Sequence, residues 1–251
     1  MIDPHVHSVF RSFEDFTALG ISGVTGIISV AFYPVTPSSP MTLIDHFRHI
    51  LEAEPSRFKS SYISFYPSIG VHPRCIPPNV EVAFNYLEEH AGEYVAIGEV
   101  GLEAASEKEV DVLKAQLTIA KKMDVPAIIH TPRRGKEATT KKILNLLDEV
   151  GYYNVVVDHV NIENIGLLEN VEVYVGLTVQ HGKLDLNSLL RIVEMYVSHN
   201  PEKFLLDTDL GRDASDLFSL PKAVQHLRVN DVDPQVIDLL SRGNAARLFK
   251  I

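Results

Sequence analysis

The 251-residue sequence predicts an α/β fold, a single (β/α)8 barrel spanning residues 1–251, regular or distorted, with its active site at the C-terminal face of the strands. Three observations support this. Apolar, β-rich runs alternate with longer amphipathic stretches, the pattern of βα units around a parallel sheet. The length suits one such barrel, and a hydrophobic content of 45% supplies material for a large core. Histidines and carboxylates stand at the ends of several apolar runs, where a parallel barrel builds its site.

The first strand is expected near Ile2 to His7. Side chains alternate sides in a strand, so Asp3, His5 and His7 share one face while Val6 turns to the opposite layer. A second strand, Gly23 to Phe32, leads into Tyr33 to Pro40, whose three prolines exclude a regular element and suggest a rim loop over the pocket. Helix Met41 to Glu54 follows, with Leu43, Phe47, Ile50 and Leu51 on one stripe. His46 and His49 fall beside that stripe and read as a solvated face, because no acidic motif accompanies them.

A third strand, Tyr62 to Val71, precedes helix Val80 to Ala91. The fourth, Tyr94 to Gly101, ends in Gly98-Glu99-Val100-Gly101, a carboxylate between glycines that let the backbone crowd a site. After helix Glu107 to Met123, the strand Val125 to Thr131 delivers His130. Helix Lys136 to Val150 and the strand Asn154 to Val160 lead to Asp158-His159. Asp158 has opposite parity to His159 and is expected to face the helical layer. The strands Glu172 to Thr178 and Phe204 to Asp209 flank helix Leu186 to Ser198, and helix Leu217 to Arg228 follows. The last strand carries Asp207-Thr208-Asp209. No low-complexity segment, heptad repeat or dividing linker interrupts this series.

A histidine pair two residues apart is weak evidence of a metal site in a chain with eleven histidines. Its recurrence with Glu99, His130, His159 and Asp209 at the tips of separate strands points to a metallohydrolase site. A net charge of −10 repels polyanions and argues against an extended nucleic-acid coat. It leaves room for a nuclease that draws one phosphate into a locally basic pocket. The lone Cys75 excludes an internal disulfide, and Met1-Ile2-Asp3-Pro4 lacks the basic, apolar pattern of a signal peptide, so a cytoplasmic location is expected. No stretch is apolar and long enough to suggest a membrane role, and the sequence leaves the oligomeric state open.

Several motifs in order resemble the TatD family of metal-dependent hydrolases, within the amidohydrolase-like barrel superfamily. Asp3-Pro4-His5-Val6-His7 is similar to its D-x-H-x-H, Gly70-Val71-His72-Pro73 to G-[VI]-H-P, and Gly98-Glu99-Val100-Gly101-Leu102 to G-E-I-G-L. Gln116-Leu117 to Ala120, then Pro126 to His130, resemble Q-L-x-x-A and P-[VI]-I-I-H. Asp207-Thr208-Asp209 is similar to E-T-D, and Asn244 to Phe249 to N-x-x-R-L-F. The chain departs from the pattern at Glu103, where the family usually has Asp, at His159-Val160-Asn161-Ile162 in place of H-C-F-S-G, and at Leu210-Gly211-Arg212, which lacks the proline of E-T-D-x-P. These departures mark a divergent branch.

The resemblance implies two divalent ions, with His5, His7 and Asp209 on one, His130 and His159 on the other, and Glu99 bridging. Mixed imidazole and carboxylate ligands favour Zn²⁺ or Mn²⁺ over Mg²⁺. It further implies hydrolysis by a metal-activated water, with Asp209 taking the water's proton. Asp207 is the runner-up for that task, or else an inward polar residue bonding a neighbouring strand. The activity implied is that of a phosphodiesterase or deoxyribonuclease. The alternatives are cleavage of a lactone, ester or cyclic amide, and a catalytically silent metal-binding scaffold. An anionic small molecule or a nucleic-acid end is the expected substrate. Its candidate anchors are His72, Lys183 and Arg133, from a wider set with Arg74, Arg134, His181 and Arg212. Tyr33, Phe65 and Tyr66 are weaker candidates for base stacking.

Overall fold

The computed structural model describes residues 1–251 and contains one sheet of eight strands whose spatial order follows the chain. These are β1 (Ile2–Val6), β2 (Gly26–Val30), β3 (Ser64–Ile69), β4 (Ala96–Gly101), β5 (Ala127–His130), β6 (Val155–Val157), β7 (Tyr174–Thr178) and β8 (Phe204–Asp207). Every neighbouring pair is parallel. The sheet curls nearly shut, because Val6 bridges to Leu210 and the His7 N–H donates to the Leu210 carbonyl at 2.8 Å. Asp3 completes the seam. Its carboxylate accepts the Thr208 N–H at 3.2 Å and the Thr208 hydroxyl at 2.6 Å, so a side chain satisfies backbone polarity that no regular ladder reaches.

Ten helices surround or cap the barrel: α1 (Phe13–Ile21), α2 (Pro40–Arg48), α3 (Glu54–Phe58), α4 (Glu81–Glu89), α5 (Glu107–Met123), α6 (Lys136–Val150), α7 (Leu186–Met195), α8 (Ser219–Val229), α9 (Pro234–Asp238) and α10 (Asn244–Phe249). α1 lies outside the helices expected from the sequence, although its start is encoded. The Ser12 hydroxyl accepts the Asp15 N–H and the Asp15 carboxylate accepts the Ser12 N–H, a reciprocal cap. The short α9 and α10 were also unforeseen. α2 continues through a π-helical turn, His49–Ala53, into α3, which carries the expected helix past Glu54. Leu43, Phe47 and Ile50 are buried along it as their spacing predicts. His49 is exposed as expected, but His46 is half-buried, its ring 5.9 Å from that of Tyr33.

Strand alternation divides the core in two. Outward residues such as Ile27, Ile97, Ile129, Val157 and Leu206 pack into the large cluster beneath the helices. Inward residues Ile28, Val30, Ala96, Ile128, Val156 and Leu205 meet Ala245, Leu248 and Phe249 of α10 in a second cluster inside the barrel. Each fully buried aliphatic or aromatic side chain contributes about 1.5–3 kcal/mol. The apolar interior layer leaves the other mouth free for polar residues. No helix is long and apolar enough to cross a membrane.

Leu117 on α5 is fully buried, whereas Ile21 at the end of α1 is 76% exposed. In urea denaturation, Leu117→Ala should lower the unfolding free energy by about 2–5 kcal/mol. Ile21→Ser should stay within about 0.5 kcal/mol of the unaltered protein.

Candidate active site

The strand ends converge on Glu99, a carboxylate only 2% exposed at the inward face of β4. Gly101, two residues on, has φ +139°, and a Cβ there would collide with the backbone of His130. Only glycine lets β4 approach β5 this closely. From β1, His5 and His7 place Nε2 at 3.4 and 3.5 Å from Glu99 Oε2. Asp209 Oδ1 lies 3.0 Å from His7 Nε2 and 3.7 Å from His5 Nε2. The other oxygen, Oε1, faces His130 Nδ1 at 2.9 Å and His159 Nε2 at 3.2 Å. One carboxylate therefore divides its two oxygens between a set of two imidazoles with Asp209 and a second set of two imidazoles.

Burial alone would push the Glu99 carboxyl up, but the surrounding imidazoles, His5 and His72 foremost, hold it well below the usual carboxylate range. Asp209 behaves alike: burial opposes ionisation, and the Lys183 ammonium bound to it overcomes that opposition.

Each of the four imidazoles facing Glu99 has its other nitrogen engaged from outside. His5 Nδ1 bonds Asp158 Oδ2, His7 Nδ1 bonds the Val30 carbonyl at 3.0 Å, His130 Nε2 bonds Glu103 Oε2 at 2.7 Å, and His159 Nδ1 bonds Thr178 Oγ1 at 2.8 Å. An imidazole that donates outward from one nitrogen presents a lone pair from the other. His5 Nε2 is buried with no hydrogen-bond partner, and His5, His7 and Asp209 bring ligand atoms within 4.8 Å of one another. The donor set fits divalent metal.

His72 is different. Its Nδ1 accepts the Arg74 N–H at 3.0 Å, so the neutral ring carries its proton on Nε2. Burial holds it neutral, well below the ordinary histidine range. That Nε2–H is fully buried, unpartnered and 3.7 Å from Glu99 Oε2. His72 is thus an N–H donor at the site despite lying near Glu99 and His130 as a metal ligand might.

The structure corrects several expectations. Asp158 faces inward, not toward the helices, since Val156 and Asp158 share the inward parity of β6. His159 also reaches the site because its backbone turns left-handed, φ +59°, just past the strand. β6 accordingly stops at Val157 and β8 at Asp207, and Asp209 too lies beyond its strand at φ +48°. Asp207 is buried below the site and outside the cavity lining, with its carboxyl raised well above the usual range by burial and the neighbouring Asp158 charge. Its Oδ1 is buried without a hydrogen-bond partner, and the group lies outside the cavity into which a substrate would fit.

A cavity of about 630 Å³ opens above Glu99, lined by 25 residues of which only 4 are hydrophobic. His72, Lys183 and Arg133 all line it, as do Arg74, His181 and Arg212, but Arg134 does not. The Tyr33 to Pro40 segment contributes no lining residue; Phe32, just before it, does. Among the aromatic candidates, Phe65 packs on Phe58 at 4.8 Å and Tyr66 against the inner core, away from the mouth. Asp158, Thr178 and Glu103 were not recognised from sequence as partners of the site. The signals for them were a carboxylate beside His159, a hydroxyl ending β7, and an acid four residues past Glu99.

A family model described as TatD related DNase matches residues 2–249. An uncharacterized metal-dependent hydrolase of Methanocaldococcus jannaschii is 36% identical over 255 residues, covering 100% of both chains. A TatD-like protein of Archaeoglobus fulgidus, known by crystal structure, superposes with a TM-score of 0.85 at 36% identity over 100% of both chains. The human deoxyribonuclease TATDN3 is 30% identical over 104 residues, 34% of this chain and 36% of its own. With its eight-stranded barrel and its imidazole and carboxylate cluster, the chain belongs to the TatD family and is a metal-dependent hydrolase.

Proposed function

We propose that this protein hydrolyses phosphodiester bonds at a nucleic-acid end or in a small nucleotide, using two divalent ions, Zn²⁺ or Mn²⁺ in preference to Mg²⁺. The observation that carries this reading is the division of Glu99: Oε2 toward His5, His7 and Asp209, and Oε1 toward His130 and His159. The metals supply Lewis-acid polarisation and a water made acidic enough to ionise near neutral pH. The likeness to TATDN3, a deoxyribonuclease, supports the phosphodiester substrate.

The remaining steps fall to side chains. Asp209, held ionised and lining the cavity, accepts the proton of the attacking water and returns it to the leaving oxygen. Lys183, bound to Asp209 in this structure, offers its ammonium to a substrate oxygen. His72 donates its buried Nε2–H to another. Arg133, exposed on the cavity wall, anchors a phosphate farther out. Lys183 and Arg133 offer an anionic substrate local positive charge despite the net charge of −10. Only a narrow part of a polyanion could enter a cavity of about 630 Å³, which favours a chain end over an extended duplex.

Metal-free protein reconstituted with Mn²⁺ or Zn²⁺ should degrade single-stranded DNA from its 3′ end and cleave model phosphodiesters, while chelator-treated protein should not. Turnover of a lactone or cyclic amide with DNA left intact would overturn the phosphodiester reading. A metal-replete protein inert toward all of these would mark a silent scaffold. Glu99→Ala should lower metal stoichiometry in both sets by elemental analysis, and His130→Ala should fall to the activity of metal-free protein while keeping its circular dichroism spectrum. Arg133→Ala should raise KM about tenfold with little change in kcat, the effect of losing one charged hydrogen bond made equally to substrate and transition state.

A further inference from the structure

The outer partners of the site are not four independent contacts. Asp158, 1% exposed, accepts His5 Nδ1–H on Oδ2, while its Oδ1 accepts the His159 backbone N–H at 2.7 Å and the Thr178 hydroxyl at 3.3 Å. Thr178 Oγ1 in turn receives His159 Nδ1–H at 2.8 Å. The chain of donors runs from two imidazoles into one carboxylate, one directly and one through a hydroxyl. Each ring that donates from Nδ1 must present the lone pair of Nε2, and these two nitrogens face opposite oxygens of Glu99, His5 at 3.4 Å from Oε2 and His159 at 3.2 Å from Oε1. The Lys183 ammonium also approaches the His159 ring, 3.1 Å from Nδ1 and 3.4 Å from Nε2, so Thr178 and Lys183 both bear on which nitrogen carries the proton.

We propose that Asp158 is a positioning residue for both halves of the metal centre: its single carboxylate sets the ring tautomer of His5 directly and that of His159 through Thr178. A second observation supports a dedicated place for this group. Gly176 on β7 faces it, and a Cβ at that position would fall on Asp158 Oδ1 and Cγ, well inside van der Waals contact. The neighbouring strand gives up a side chain where the carboxylate stands. A carboxylate is also required by the donor count. His5 donates to one oxygen, and His159 N–H and Thr178 donate to the other. An amide offers one oxygen and one NH2, so Asp158→Asn meets a donor with a donor on one side.

This inference rests on the two-metal reading above, but half of its test needs no metal. In metal-free protein, at a pH high enough to leave both rings neutral, long-range ¹H–¹⁵N spectra of the histidine rings should show both His5 and His159 protonated on Nδ1 and not on Nε2. Asp158→Ala should shift both rings to mixed tautomers, Thr178→Val should shift His159 alone, and Asp158→Asn should disturb at least one. Metal affinity, by competition with a chelator, should fall about 10–100-fold at both sites in Asp158→Ala and at one site in Thr178→Val. Gly176→Ala should reproduce part of the Asp158→Ala result by displacing the carboxylate. A merely structural carboxylate would change thermal stability without separating the two rings. Wild-type tautomers and affinities in Asp158→Asn, or equal loss at both sites in Thr178→Val, would overturn the proposal. Absence of bound metal in the unaltered protein would overturn the metal reading alone, because the ring tautomers would still decide the role of Asp158.

Discussion

A buried negative charge organises this molecule. Glu99 sits 2% exposed inside a barrel, where an isolated carboxylate would be very costly. Nitrogens from β1, β5, the segment after β6 and the turn after β3 surround it and hold it ionised. No single βα unit could supply that environment. It exists only when the sheet closes, so the seam between β1 and β8, with its Val6–Leu210 bridge and its Asp3–Thr208 bonds, bears directly on the chemistry. The first strand ties the barrel shut with Asp3 and, past an irregularity in its pairing with β2 that shifts the alternation between Asp3 and Val6, presents His5 and His7 to the site.

Around that centre, imidazole orientation is set from outside by unlike groups: a carboxylate for His5, a backbone carbonyl for His7, a half-buried glutamate for His130 and a hydroxyl for His159. Glu103 illustrates the consequence. It departs from the residue usual in the family at that position, yet it bonds His130 at 2.7 Å, so the divergent segment still supports the ring. The sixth strand departs from the family pattern as well, and there a left-handed turn at His159 lets two consecutive residues, Asp158 and His159, serve the same site. The field at the mouth is local in the same sense. An acidic protein lines one polar cavity with Arg74, Arg133, Lys136, Lys183 and Arg212 beside Glu99, Glu103, Asp209 and Asp213, so the balance of charge there differs from the global one.

The sequence by itself determined the eight-strand parallel series, the outward and inward periodicity of most strands, and the residues that gather at Glu99, because strand parity and the C-terminal position of each polar residue are one-dimensional properties. It erred where that rule ends. Asp158 was assigned to the wrong face and β8 was drawn through Asp209, since alternation fails at residues with positive φ such as His159 and Asp209. The whole of α1 was missed even though its cap is written in Ser12 and Asp15. Only the tertiary structure decided which oxygen of Glu99 meets which histidine, which nitrogen of His72 carries the proton, that Asp207 lies below the cavity, and that Gly176 makes room for Asp158. Those facts depend on distances between strands far apart in the chain, and a periodic pattern along one strand carries no measure of them.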